Sequence, residues 1–344
     1  MKKANLDLEG KIVAVIGGTG SLGQALCERL RKKNKLAIVS RDELKQWTLR
    51  NELKDDNVSF FVGDMRDRQR LEEILPTVNP HVIIIAAALK QVDTCEYAPS
   101  ESIKTNVLGV QNLVEVAERG IQRLTNLETV VMVSTDKACA PTNVYGMSKA
   151  IAERIVSSRS YAHEKVRFVV VRYGNVLESR GSIIPLFRTQ AVQSRAFTLT
   201  HPEMTRFVMT LDDSIDLILT AVLNGESGTT WIPKLRAMKI ADLANLFSRR
   251  FGKPVEVIGL RPGEKLHEQL ISEPESVRIT LSGGYYVMQP SLWQPPQDAK
   301  MFAYGSDQDI MRPEELETYL NELGILTAGF ETFKGPHIEP IRID

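Results

Sequence analysis

Residues 11–23 constrain this chain more than any other stretch. Lys11-Ile12-Val13-Ala14-Val15-Ile16 is a short apolar run, the pattern of a buried strand. Gly17-Gly18-Thr19-Gly20-Ser21-Leu22-Gly23 follows directly, and an amphipathic helix through Leu26 and Leu30 comes next. Strand, glycine-rich turn and helix form the context that a dinucleotide-binding loop needs. The glycines permit the tight turn and let the backbone approach a pyrophosphate resting on the helix N-terminus. Such a turn without a ligand is the competing reading. The alternation of strands and helices that follows selects the first.

Leu36–Val39, Val58–Val62, His81–Ile85, Val130–Val133 and Val166–Val171 are further apolar runs, with helical stretches between them. Six strands separated by helices predict an α/β fold, a doubly wound parallel Rossmann sheet. Ser40, Arg41, Asp42 and Lys45 come just after the second run. An acidic residue there suits the ribose 2′-hydroxyl of NAD, whereas an arginine suits the 2′-phosphate of NADP. Arg41 comes first and Lys45 lies one helical turn on, so NADP is favoured, with Asp42 as counter-evidence. Solvation of a helix start accounts for the same charges without a ligand. Asp64, followed by Met65, is placed to touch the adenine edge or to cap the next helix. Ala86, Ala87 and Ala88 end the fourth strand and let a flat ring lie close. Lys90 either reaches a substrate or sits solvated in a loop. A helix is expected from Ser102 to Glu118. Asn106 lies in its apolar stripe and must be hydrogen-bonded, as core support or as a cofactor contact.

Thr135, Asp136 and Lys137 follow the fifth strand, at the carboxyl end where open α/β sheets bind ligands. Tyr145 and Lys149 are four apart and share a helix face. A phenol beside a fixed ammonium ionises more easily. The group is suited to acid/base chemistry beside a cofactor.

After Arg172 the chain turns polar and glycine-containing, with no second glycine fingerprint. Residues 1–172 read as the nucleotide-binding domain, with elements returning to it from about 207–232. Residues 173–344 read as a smaller substrate-binding domain and a tail. From Ser282 the signals weaken: Tyr285–Met288 reads as a strand, then Pro290, Pro295 and Pro296 interrupt, and Pro313–Leu326 reads as a terminal helix. Lys+Arg and Asp+Glu both number 43, so the formal net charge is zero and gives no support for nucleic-acid or membrane-surface binding. No apolar run approaches the roughly 20 residues that span a bilayer. Cys27, Cys95 and Cys139 form no Cys-x-x-Cys pair, which fits reduced thiols in a cytoplasmic protein. No metal site is expected.

Gly17-x-x-Gly20-x-x-Gly23 and Tyr145-x-x-x-Lys149 resemble the marks of the extended short-chain dehydrogenase/reductase family. Within it, the chain resembles the nucleotide-sugar 4,6-dehydratases that act on UDP-N-acetylglucosamine. The matching segments include Ser40–Gln46, Ala86–Val92, Lys104–Gly109, Ser134–Ala138, Arg172–Val176, Met204–Phe207 and Arg261–Glu268. The resemblance runs from about Lys11 to Ser276. It implies NADP contacts at Gly17, Thr19, Gly20, Ser21, Leu22, Gly23, Ser40, Arg41, Lys45, Asp64, Met65, Ala86, Ala88, Asn106, Tyr145 and Lys149. It implies contacts to the UDP-sugar at Lys90, Thr105, Asn106, Asn175, Val176, Arg180, Thr200, Arg206, Arg261 and Glu264. An arginine fork also suits a diphosphate on physical grounds, which applies to Arg206 and Arg261.

The resemblance also implies a reaction. Tyr145, supported by Lys149, takes the proton of the sugar 4-hydroxyl while NADP takes the hydride from C4. Lys137 then removes the C5 proton, Asp136 protonates the departing 6-hydroxyl, and the hydride returns to C6. Thr135 belongs to the same group. Relatives acting on dTDP-glucose carry Asp-Glu where this chain carries Asp136-Lys137. A lysine base must be neutral when it acts. Several C5-retaining members carry methionine where Tyr145 stands, so inversion at C5 is expected. Retention stays open, as does a UDP-hexose 4-epimerase, which needs no base at C5. A binding protein that senses NADP without turnover is the reading from another class. The family implies a homo-oligomer.

Overall fold

The computed structural model describes residues 8–120, 122–161 and 165–326. The chain's first seven residues and the tail beyond 326, both covered by the sequence reading, lie outside the described residues. Strands β1 (Ile12–Ile16), β2 (Lys35–Ser40), β3 (Val58–Val62), β4 (Val82–Ile85), β5 (Thr129–Val133) and β6 (Arg167–Val171) form the expected parallel sheet. Their order across it is β3-β2-β1-β4-β5-β6. The order reverses between β1 and β4, and the crevice at such a switch point is where open sheets take ligands.

The inner strands are buried on both faces because their side chains alternate between two cores, whereas the edge strand β3 is partly exposed. Val13 and Val15 of β1 pack with Leu26 and Leu30 of helix α1 (Ser21–Leu30) and with Leu217 and Ile218 of the helix Leu211–Asn224. Ala14 and Ile16 point the other way, into a core with Leu71 and Leu75 of Arg68–Val78 and Leu113 and Val114 of Gly109–Arg119. Burying a side chain of this size contributes about 1.5–3 kcal/mol. Several of the helices start where a short polar side chain satisfies a free amide. Asp42 accepts from Lys45 N, Asp67 from Arg70 N and Asn143 from Gly146 N.

The sheet does not end at β6. Thr230–Ile232 pairs with it in parallel, and Tyr285–Met288 and Ile279–Ser282 add an antiparallel hairpin. Tyr285–Met288 is a strand as expected, and its partner Ile279–Ser282 is the one the weak signals around Ser282 conceal. The helix expected at Ser102–Glu118 is three pieces: Pro99–Ser102, a π-helical turn at Ile103–Leu108, and Gly109–Arg119. The terminal helix spans Pro313–Glu322 and stops short of Leu326. A separate core is built on Phe187, Phe197 and Phe247, whose rings meet edge to face at 5.4, 5.3 and 5.8 Å.

Candidate active site

A cleft of about 1130 Å³ runs along the carboxyl ends of β1, β2, β4 and β5. Its floor is the glycine turn. Gly17 has φ +87°, and a Cβ there would sit 2.7 Å from the Ala87 backbone. A Cβ on Gly23 would strike Gly18, so α1 packs tightly beneath the turn. Gly20 begins α1 without any side-chain cap, which leaves the helix amides turned toward the cleft. Thr19, Ser21 and Leu22 line the same wall.

Ser40, Arg41, Lys45, Asp64 and Met65 line the far end. Asp42 is committed as the cap of Glu43–Leu53, with Lys45 Nζ 3.3 Å from its carboxylate. Asp64 is held by Arg66 at 2.7 Å, and Arg41 lies 4.0 Å away with 62% of its side chain exposed. Ala86, Ala87, Ala88 and Lys90 continue the lining along the end of β4. Asn175, Val176, Arg180, Arg261 and Glu264 close the cleft from the other side, with Thr105 entering from the π-helical turn. Lys90 Nζ donates to the Arg180 carbonyl at 2.6 Å, and burial lowers its pKa.

Three residues expected at the site lie elsewhere. The Asn106 amide clamps the loop after β4: it accepts from Leu89 N at 2.8 Å, donates to Leu89 O at 2.9 Å and donates to Ser148 Oγ at 3.0 Å. It is the core support of the two readings. Thr200 donates to Met204 Sδ. Arg206 is buried, and its guanidinium donates to the carbonyls of Thr205, Leu266 and Lys265, leaving no fork for a diphosphate.

The titratable group gathers where β5 ends. Thr135 Oγ1 donates to Asp136 Oδ1 at 2.9 Å, and Lys137 Nζ donates to the same oxygen at 3.1 Å. Lys137 Nζ also lies 3.2 Å from Glu268 Oε1. Burial works against the Lys137 charge, but Asp136 and Glu268 outweigh it and hold the ammonium well above its ordinary pKa. These surroundings therefore favour the charged form over the neutral one that a lysine base needs when it acts. Burial raises the Asp136 carboxyl, with Lys137 opposing. Burial pushes the Tyr145 phenol up to about 12, and the cation that opposes this is Lys137. Lys149, expected to be that cation, instead donates to the Val133 carbonyl at 2.6 Å, and burial pulls it down to about 8.

Behind this group Glu153 accepts from Ser134 Oγ at 2.6 Å and from Arg172 Nε at 3.0 Å. Arg172 is fully buried and also grips Glu275 at 2.8 Å. Glu153, Glu268 and Glu275 were not singled out from sequence. Glu268 stands inside the segment Arg261–Glu268, but nothing local marks it as buried. Among the described residues no cluster of His, Cys, Asp or Glu is placed to hold a metal. The three cysteines are buried and free.

The doubly wound sheet, the glycine cradle and the tyrosine–lysine helix form a fold like that of short-chain dehydrogenases/reductases. Residues 13–290 match the family described as polysaccharide biosynthesis protein, and the chain belongs to that family. It is 37% identical to an uncharacterized membrane protein of Methanocaldococcus jannaschii, covering 92% of this chain and 97% of that one. It is 40% identical to a UDP-glucose 4-epimerase of Rickettsia prowazekii, over 80% of this chain and 82% of the other. The solved structure of Pen from Bacillus thuringiensis is 33% identical, covers 92% of this chain and 99% of its own, and superposes with a TM-score of 0.84. No helix among the described residues is long and apolar enough to cross a membrane.

Proposed function

We propose that the protein is an NADP-dependent UDP-N-acetylglucosamine 4,6-dehydratase that inverts C5. The observation that carries this reading is the Asp136–Lys137 contact at 3.1 Å beside Tyr145. An acid and a base side by side suit elimination of water across C5 and C6, which simple oxidation at C4 does not require.

The residues fit a dinucleotide. The open α1 N-terminus and the glycine cradle would hold its pyrophosphate, and Ser40, Arg41 and Lys45 its ribose phosphate. Asp42 caps the helix Glu43–Leu53 and pairs with Lys45, while Arg41 stands exposed beside it at the cleft and supports the 2′-phosphate reading. When bound, the nicotinamide would accept a hydride from C4 and return it to C6. Tyr145 would hold the 4-hydroxyl and, as its phenolate, take its proton, with Thr135 at hand as a further hydroxyl. Lys149, anchored on Val133, would hold the nucleotide ribose and keep its own position through that carbonyl. Lys137 would take the C5 proton and Asp136 would deliver one to the leaving 6-hydroxyl.

A second reading is UDP-hexose 4-epimerase, favoured by the name of the Rickettsia relative. Mass spectrometry of UDP-N-acetylglucosamine after incubation with the protein separates the two. A product lighter by one water is expected, and an unchanged mass refutes dehydration. Lys137→Ala should slow the water loss by about 10²-fold or more. Full retention of water loss in that variant would rule out Lys137 as the base.

A further inference from the structure

Glu268 lies just before the strand Gln269–Ile271, outside the cleft lining, yet its side chain reaches the reacting group. It is 2% exposed, and its Oε1 is 3.2 Å from Lys137 Nζ. Its Oε2 is buried without a hydrogen-bond partner. Arg206 Nε stands 3.9 Å from the Oε1 atom. Lys265 adds positive charge nearby, although its own ammonium donates to the Cys139 carbonyl. Lys137 is thus faced by Asp136, Glu268, Arg206 and Tyr145. The charges run in an alternating row: Arg206, Glu268, Lys137, Asp136.

We propose that Glu268 is a positioning residue that pins Lys137 Nζ against Asp136 and sets how the pair shares its proton. The proposal rests on the dehydratase reading. Lysine is a long, flexible side chain, and two carboxylate acceptors at 3.1 and 3.2 Å restrict where its amine can sit. Transfer of one proton along the 3.1 Å contact converts ammonium and carboxylate into amine and carboxylic acid. An N–H bond breaks, an O–H bond forms, and the pair keeps its net charge. The amine then takes the C5 proton, and the acid gives its proton to the 6-hydroxyl, which leaves as water. The pair ends as ammonium and carboxylate. Glu268 favours the ammonium form, and Arg206 offsets part of that bias.

The test is deuterium wash-in at C5 of the 4-keto product, in deuterated water, across pH. Wash-in reports the C5 base without the hydride steps. Glu268→Gln keeps the shape and removes the charge. Without a neighbouring anion the Asp136–Lys137 pair gains its second proton less readily. The acid limb of the profile therefore moves to lower pH, by about one unit. Glu268→Asp withdraws the charge by one methylene and gives an intermediate limb; it decides the matter if the amide variant does not fold. An unmoved limb in the folded variant, with the rate scaled equally at every pH, would overturn the proposal. Water loss by the unmodified protein is measured in parallel. Its absence defeats the dehydratase reading, whereas water loss with an unmoved limb defeats only the role of Glu268.

Discussion

At the scale of single residues, charge partners decide what each titratable group can do. Lys137 sits between two carboxylates and rests as an ammonium, whereas Lys149, with a carbonyl as its hydrogen-bond acceptor, is drawn toward about 8. The sequence places both lysines beside Tyr145 but cannot say which carries the charge that the phenol feels. That depends on Glu268, which arrives from 131 positions away along the chain, a contact no local pattern encodes. Arg206 is the same lesson in reverse. An arginine at a diphosphate-binding position suggests a phosphate fork, yet this one lies in the buried strand Thr205–Met209 and is spent on three carbonyls. Arg41 is different, because it is exposed at the cleft. Arg41→Ala should weaken NADP binding about tenfold or more while leaving NAD binding nearly unchanged, as expected for loss of a charged hydrogen bond. Titration of both dinucleotides by fluorescence checks this, and equal losses for the two would argue against a 2′-phosphate site at Arg41.

At the scale of elements, the helix Val144–Ser157 owes its position to close backbone approach. A Cβ on Gly146 would collide with the Lys137 carbonyl. Gly146→Ala should therefore cost about 1–3 kcal/mol in chemical denaturation and reduce turnover by displacing Tyr145 from Lys137. An unchanged denaturation midpoint would show that the loop yields freely. The same helix is fastened from behind by Arg172, which bridges Glu153 and Glu275. Arg172 and its neighbours hold the Glu275 carboxyl down to about 2 from 4.5. Its contribution to stability is therefore complete above pH 4.5 and lost as pH falls through about 2. Glu275→Gln should destabilise by about 3–5 kcal/mol at neutral pH, because it leaves a buried guanidinium partly unpaired. The deficit should shrink as denaturation is repeated at lower pH, and a deficit constant down to pH 2 would contradict the assignment. The helix cap at Asn143 and the Tyr145/Lys149 spacing are legible in the sequence because they are local. The π-helical turn is not, since the apolar stripe of residues 103–117 reads as one continuous helix.

At the scale of the whole molecule, the parallel sheet and its ligand crevice follow from the order of apolar runs and glycines alone. The hairpin Ile279–Ser282 and Tyr285–Met288 does not, because its place on the main sheet is fixed by Thr230–Ile232, some fifty residues earlier. The chain segment 261–275 is what ties the second half to the reacting group. Asn143 and Thr142 bind the Gly263 carbonyl, Lys265 binds Cys139, Glu268 meets Lys137, and Arg172 takes Leu270 and Glu275. Residues of this same segment, Arg261 and Glu264, line the cleft. The proposed substrate would therefore touch the segment that holds the base. The central claim is elimination across C5 and C6. Proton NMR of the product formed from UDP-N-acetylglucosamine in deuterated water tests it most directly. A 6-deoxy-4-keto sugar with deuterium at C5 and an inverted C5 centre is expected. A product that keeps its 6-hydroxyl and its C5 proton, altered only at C4, would contradict it.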